Sequence, residues 1–337
     1  MSPVQLASKR NRESQPTENG LPRSGRNPAG AFALRHRESA RVLALVLLIA
    51  VGAAIRPGYL TEHSMVSVLL PAAPLAALAT AEAFVMIRGK FVDLSVGVTA
   101  SAAAVLAVSV SPHGTIPAVL AALAVGATIG LANGIGVGVF RGNPIIVTLG
   151  MSSVVGAITL AASGGSSSTL SPGMLNNFGT ASLAGIPEVV LAVALILIVT
   201  AWWFAVSRWG RMMRLAGDSE LGFRVSGGRP VAGTIVAFVL AGLFSAVAGI
   251  LLASYVQTLD FTIAANDTLP AIAGAVIGGV SLFGGEGSPW RAGFGAVLFG
   301  FLTSVLLLAG LSPYQEEIVE GVLVVTIVYL TEKLLGR

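Results

Sequence analysis

Asp93 stands in the stretch RGKFVDLSVG, residues 88–97, with Arg88 and Lys90 just before it and apolar sequence on both sides. A carboxylate so placed can do one of two things. It can act within the membrane, where ionisable side chains tend to serve a gate or a pathway. It can also cap a helix, accepting bonds from the free N–H groups and facing the positive end of the dipole, with Arg88 and Lys90 as local ion-pair partners. Glu82 and Glu320 are further carboxylates within apolar runs. For Glu320 the readings are a carboxylate facing the bundle or the outer leaflet, or a proton relay.

Other chemistries find no residues. Cysteine is absent, which removes disulfides and thiolate metal sites, and His36, His63 and His113 are too scattered for a metal centre. No G-x-x-x-x-G-K-[ST] cradle for a nucleotide occurs, and GGVSLFGGEGSP (278–289) is rich in glycine but has no lysine after it. A serine hydrolase within the membrane would need a histidine there. The expectation is a chain that binds no cofactor or metal, is not an enzyme and cannot hydrolyse ATP unaided.

The elements that position Asp93 follow from composition. Of 337 residues, 54% are hydrophobic and 11% charged, against about 25% charged in soluble domains. This is an integral membrane protein. Spans of about twenty residues fall near 40–56, 65–87, 93–111, 115–139, 144–162, 187–207, 231–254, 267–283, 289–310 and 314–334. Residues 1–39 are basic, polar and without apolar period, and read as a disordered cytoplasmic tail that sets topology rather than one that binds nucleic acid. With the tail inside, every lysine and arginine except Arg56 falls on the cytoplasmic face. The expected fold is an all-α polytopic membrane protein of about ten transmembrane helices, both termini cytoplasmic. Its transmembrane domain runs over 40–335, with a cytoplasmic loop at about 208–230.

Glycines suggest how the helices pack. Gly126, Gly130, Gly134 and Gly138 recur every fourth residue, and Gly274 and Gly278 repeat that spacing. Such stripes let backbones approach closely within the bundle or between subunits. Asn133 lies within the first stripe and needs a partner there, an interhelical bond or a ligand. In the cytoplasmic loop, GDSELGFRVSGG reads as a short helix with Asp218 as N-cap, Glu220 in the first turn, Arg224 near the end and Gly227 or Gly228 as terminator. Leu221 and Val225 share a face, with Phe223 and Arg224 projecting elsewhere. That helix could lie on the membrane or fit a groove on a partner. Outside, 163–186 and 255–267 read either as loop filler or as a docking or gating surface. Ser312, Pro313 and Gln315 form a capping box for the last helix.

VDLSVG (92–97), GLANGIGVGVFRGNPIIVTLGM (130–151), GRMMRLAGDSELGFRVSG (210–227) and AIAGAVIGGVSLFGGEGS (271–288) stand in the order seen in permease subunits of ribose-type ABC importers. The resemblance covers roughly residues 60–335, departing from the usual pattern at Arg88-Gly89-Lys90-Phe91. The related branched-chain amino-acid permeases typically have Asn-Leu where this chain has Asp93-Leu94, which resembles the sugar branch. The resemblance implies a bacterial inner-membrane subunit forming the pathway for a pentose- or hexose-type sugar. It implies four partners or partner-borne groups: a cytoplasmic ATP-binding subunit, ATP and Mg held on that subunit, an extracytoplasmic sugar-binding protein, and a second permease subunit, identical or related. Gly217, Asp218, Glu220, Leu221, Phe223, Arg224 and Gly227 would belong to the coupling helix that seats in the ATPase. Asp93, Leu94, Ser95, Asn133, Asn143, Pro144 and Thr148 would line or brace the pathway. The rival is a proton-coupled secondary transporter using Glu82, Asp93 or Glu320; a branched-chain amino-acid permease is the nearer alternative.

Overall fold

The computed structural model describes residues 37–89 and 91–335; the expected tail over 1–36, and Lys90 as an ion-pair partner of Asp93, lie outside them. The chain divides into Met1–Ser39 and Ala40–Arg337, and the bundle belongs to the second. Every expected segment carries a helix: α1 (Arg37–Ile55), α2 (Glu62–Gly89), α3 (Val96–Val110), α4 (Thr115–Gly138), α5 (Pro144–Ser163), α7 (Glu188–Val206), α10 (Pro230–Val256), α11 (Thr268–Ile277), α12 (Pro289–Leu308) and α13 (Pro313–Leu335). There are three shorter helices: α6 (Met174–Thr180) and α8 (Arg208–Asp218), which were not anticipated, and α9 (Glu220–Val225), the short helix expected within GDSELGFRVSGG. Two antiparallel pairs of two-residue strands complete the described elements, β1 (Ser168–Thr169) with β4 (Thr258–Leu259), and β2 (Ser182–Leu183) with β3 (Ile186–Pro187).

Seven of the described helices are long and apolar enough to cross a membrane: α2, α4, α5, α7, α10, α12, and α3 with the 3-10 turn that extends it to His113. The apolar part of α1 is shorter, and α13 carries Glu316, Glu317 and Glu320 in its first turns. The eighth expected segment differs most. Helix α11 spans only 10 residues, because the chain then enters turns at Gly279, Gly284, Gly285 and Gly287, all with positive φ.

Helices α2 and α10 form the centre. Along α2, every residue from Ala76 to Arg88 is buried, with alanine at 76, 77, 79, 81 and 83. Phe84 is the large anchor, its ring 5.3 Å from that of Phe244 and edge-on to Trp203 and Phe204 at 6.5 and 6.3 Å. Hydroxyls within the helices return their protons to the carbonyl one turn back, as Thr80 does to Ala76 and Ser245 to Ala241, so they enter the apolar interior satisfied.

The glycine stripe of α4 lies against the backbone of α10. A Cβ on Gly126 would overlap the carbonyl of Gly242, one on Gly130 the carbonyl of Phe238, and one on Gly134 would come 2.7 Å from the Cα of Ile235. Gly138 has slightly more room, 3.3 Å from the carbonyl oxygen of Val231. The contact is reciprocal, since a Cβ on Gly242 would overlap Gly126. Gly274 and Gly278 pack in the same way on α12, at Ala296 and at Arg291. Both stripes therefore serve packing within the chain. Gly130→Ala should destabilise the purified chain by about 1–3 kcal/mol, the usual cost of overpacking. Gly150, with nothing within 4 Å of an added Cβ, should accept alanine with a gain of up to about 1 kcal/mol; paired thermal unfolding in one detergent compares them.

Candidate functional site

The chain between α2 and α3 is irregular and buried. Phe91 to Asp93 belong to no regular element, Leu94 and Ser95 turn, and α3 begins at Val96. Phe91 anchors this stretch by stacking on Phe238, ring centroids 6.2 Å apart. Asp93 is 2% exposed. Its Oδ1 accepts from the Ser95 N–H at 2.9 Å and from the Ser95 hydroxyl at 2.6 Å. Asn133 Nδ2 donates to Ser95 Oγ at 2.8 Å and lies 3.4 and 3.5 Å from Asp93 Oδ1 and Oδ2. The serine hydroxyl thus gives its single proton to the carboxylate and takes one from the amide, as its inventory allows. The backbone joins the same network. The Leu94 N–H donates to Thr148 Oγ1 at 3.0 Å, and the Asp93 N–H donates to Glu82 Oε2 at 3.3 Å.

These contacts correct the helix-cap reading. Ser95, not Asp93, holds the cap position of α3, and Arg88 turns away from Asp93 to donate to the carbonyl of Pro230 at 2.7 Å. The carboxylate is served by neutral donors because it sits among α2, α4 and α5 rather than in a surface turn. Asn133 makes the interhelical bond expected of it. Asn143 and Pro144 remain apart. Asn143 is exposed and caps α5, accepting from the Ile145 N–H at 3.0 Å, and Pro144 takes the first helical position. Thr148, one turn on, is the member of that motif that reaches Asp93's turn.

A second interrupted helix meets the first. The Gly97 N–H donates to Thr268 Oγ1 at 3.2 Å, at the start of α11, and the Ala264 N–H donates to Ser101 Oγ at 3.0 Å. A Cβ on Gly97 would overlap the carbonyl of Ala264. Two helix starts therefore abut inside the bundle, and irregular backbone at such depth is tolerated only where protein or a cavity encloses it. Gly97, Ser101 and Thr268 were missed from sequence, where the polar AAND (264–267) before a short apolar run was the available signal. Among the described residues, Glu82 Oε1 and Asn133 Oδ1 are buried without a hydrogen-bond partner, and no cluster of His, Cys, Asp or Glu could hold a metal ion.

At the end of the bundle where α2 finishes, α8 and α9 run consecutively. Ser207 caps α8 through the Gly210 N–H, and Ser219 caps α9 through the Gly222 N–H, both at 3.0 Å. Asp218 is thus the last residue of α8 and not the cap of the short helix. Amphipathic α8, with Met213 and Ala216 buried beneath its arginines, continues up to it. Gly227, φ +81°, closes α9 with its N–H on Arg224 O, as expected of a left-handed terminator. Glu220 and Arg224 pair at 2.6 Å on the exposed side. Leu221 and Val225 also face outward, 74% and 81% exposed. Phe223 points the other way and is 4% exposed, so it supports α9 from beneath. Gly217 is buried at the end of α2, where a Cβ would overlap the Ile87 carbonyl. That carbonyl accepts from the Gly285 N–H at 3.0 Å.

The remaining expected features have structural places. Glu320 accepts from the Thr303 hydroxyl at 2.7 Å and so faces the bundle. The Ser312–Gln315 capping box forms, with Ser312 N–H on Gln315 Oε1 at 2.9 Å and Gln315 N–H on Ser312 Oγ at 3.4 Å. The two polar segments 163–186 and 255–267 meet through β1 and β4, where the Leu170 N–H donates to Gln257 O at 2.7 Å.

The chain matches the family described as branched-chain amino acid transport system / permease component over residues 64–328. It is 30% identical over 307 residues to the ribose import permease protein RbsC of Escherichia coli (strain K12), covering 88% of this chain and 94% of that one. To the autoinducer 2 import system permease protein LsrC of Escherichia coli (strain SMS-3-5 / SECEC) it is 29% identical over 305 residues, 90% of this chain and 89% of that one. LsrC of Salmonella paratyphi B (strain ATCC BAA-1250 / SPB7) is 30% identical over 305 residues, at 90% and 88% coverage. No solved structure matches.

Asn133→Leu removes the amide that braces Ser95 and Asp93, and should cost about 1–3 kcal/mol of stability, the range for a buried partner left unmade. Asn133→Asp should cost more at neutral pH and recover as the medium is acidified, because protonation discharges the added carboxylate. Thermal unfolding of the purified chain across pH checks both; equal losses at every pH would show that charge near Asp93 does not matter.

Proposed function

The chain belongs to this family of transport-system permease components, and from that premise we propose that it is the membrane subunit of an ATP-driven importer for a pentose- or hexose-type sugar. Ten spans, with both termini and the α8–α9 end in the cytoplasm, suit the distribution of Arg88, Arg141, Arg208, Arg211, Arg214, Arg224 and Arg229. The membrane is then the bacterial cytoplasmic membrane, and residues 1–39 a cytoplasmic tail.

The observation that carries the reading is α9. A six-residue helix, capped at both ends, presents Leu221 and Val225 to solvent beside the Glu220–Arg224 pair. Exposed apolar side chains next to a charged pair on a short rigid element suit a knob that seats in a groove of another protein. A separate ATP-binding subunit, which holds ATP and Mg, is the partner that α9 would engage. An extracytoplasmic binding protein would deliver sugar to the opposite face, where β1 and β4 tie the polar segments together. A second permease, identical or related, would complete the pathway.

Sugar as cargo is supported by Asp93-Leu94-Ser95 and by the names of the relatives, which specify ribose and autoinducer 2. It also suits the chemistry around Asp93. Hydroxyls and an amide from Ser95, Thr148, Ser101, Thr268 and Asn133 cluster there, and a neutral polyol exchanges water for such groups without needing a fixed counter-charge. Asp93, Leu94, Ser95, Asn133 and Thr148 then brace the pathway, with Asn143 and Pro144 setting the start of α5.

Arg224→Glu reverses one half of the exposed pair and places two carboxylates on the face offered to the ATPase. Sugar uptake and co-purification of the ATPase subunit should fall together, by about tenfold or more, while the membrane level of the permease holds. Uptake that persists without the ATPase and collapses with a protonophore would instead make the chain a secondary transporter.

A further inference from the structure

Arg88 is a buried cation that neither the cargo pathway nor the ATPase contact uses. It is 3% exposed, at the penultimate position of α2. Among the described residues no carboxylate lies within ion-pair distance of it, and the acidic group whose field reaches it is Glu220 on α9. Its guanidinium is held in three ways. Nη2 donates to the carbonyl of Pro230, the first residue of α10, at 2.7 Å. The carbon at its centre stands 5.1 Å from the centroid of the Phe223 ring on α9. Gly233 of α10 supplies the slot, since a Cβ there would come 2.8 Å from Arg88 Nε and 3.4 Å from the Phe223 ring. Nε itself has no hydrogen-bond partner.

A buried charge without a counter-ion costs stability unless its surroundings compensate. Here the compensation comes from a carbonyl on one helix and an aromatic face on another. The guanidinium therefore joins α2, α9 and α10 at one point, and a planar fork suits such a junction better than a lysine would. One residue back, Ile87 O holds the Gly285 N–H. Six residues back along the same rigid helix, Glu82 holds the Asp93 N–H.

We propose that Arg88 is the positioning residue that transmits movement of α9 to α2, and through Glu82 to the turn at Asp93, so that events at the ATPase contact reach the pathway. This rests on the reading of α9 as the ATPase contact. Arg88 touches neither cargo nor nucleotide; it sets how far α2 and α10 follow when α9 moves.

The test uses the whole transporter, with its ATPase subunit and binding protein, reconstituted in vesicles and supplied with ribose as the probe sugar. Arg88→Gln removes the charge and the ring contact. Gly233→Ala keeps the arginine and displaces its guanidinium. In both, ATPase capture should hold and sugar moved per ATP hydrolysed should fall by about tenfold, within the usual range of coupling between sites. The double variant should be no worse than the poorer single, because both act on one junction. Arg88→Lys should recover part of the loss.

An unchanged transport ratio in either single variant overturns the proposal. So does a loss of transport and hydrolysis in equal proportion, which marks Arg88 as merely structural. If Arg88→Gln does not accumulate, Gly233→Ala still decides, since its close contact is with the Arg88 side chain, at 2.8 Å from Nε, while the Phe223 ring lies at 3.4 Å, about van der Waals contact. If Arg224→Glu leaves the ATPase bound, the reading of α9 fails; if it releases the ATPase while Gly233→Ala transports normally, only the role of Arg88 fails.

Discussion

A carboxylate cannot be sealed in an apolar bundle without donors, because an unsolvated charge costs far more than packing returns. Asp93 is so sealed, and much around it follows from the need to serve it. The chain must leave helix after Gly89 so that its own N–H groups become available. Ser95 must stand two residues on, where hydroxyl and N–H reach the same oxygen. Asn133 must face inward from α4 even though it lies in a stripe otherwise made for smooth contact. Thr148 must take the Leu94 N–H that no helix satisfies. Break the helix elsewhere and these donors no longer converge.

The glycines make that convergence possible. Asn133 reaches Ser95 because α4 and α10 approach until backbone meets backbone, with Gly126, Gly130, Gly134 and Gly242 leaving no side chain between them. In a lipid environment helices gain little from hiding apolar surface and must associate by close packing. Here the same close packing narrows the space between α3, α4 and α10, so that short side chains such as serine, threonine and asparagine can bond across it. Longer side chains would span a wider gap with less constraint on where Asp93 sits.

The helices were legible in the sequence because their apolar runs are long and bounded by Gly, Pro and Asn, and Asn133's need for a partner was legible because a lone amide in such a run has few alternatives. Two things were not. The cap at Asp93 was misplaced because an aspartate beside Arg88 and Lys90 reads as a surface ion pair, whereas the groups that hold its turn besides Ser95 come from far along the chain, Asn133 lying 40 residues from Asp93 and Thr148 54 residues from Leu94. The pairing of Gly97 with Thr268 escaped for the same reason, since local pattern holds no record of which helix starts will abut. Asp218 and Ser219 are both good caps by residue type; only the length of α8, set by Met213 and Ala216 packing beneath it, selects the second.

Helix α2 ties the two ends of this arrangement together. Glu82 and Arg88 are six positions apart on it, about 9 Å at helical rise, and each is held by different elements: Glu82 by the irregular turn that holds Asp93, Arg88 by the start of α10 and the Phe223 ring of α9. Between them lie Ala83 to Ile87, all buried against neighbouring helices, so the segment has no freedom to bend independently of its surroundings. The Ile87 carbonyl, bonded to Gly285, adds the glycine-rich turn to the same end. There a Cβ on Gly285 would lie 2.9 Å from the Asp218 N–H nitrogen, and a positive φ of 76° independently favours glycine. The four stretches that mark the family in sequence thus come together in space for a mechanical reason: each supplies one side of the joints at Glu82 and Arg88, near one end of a single helix.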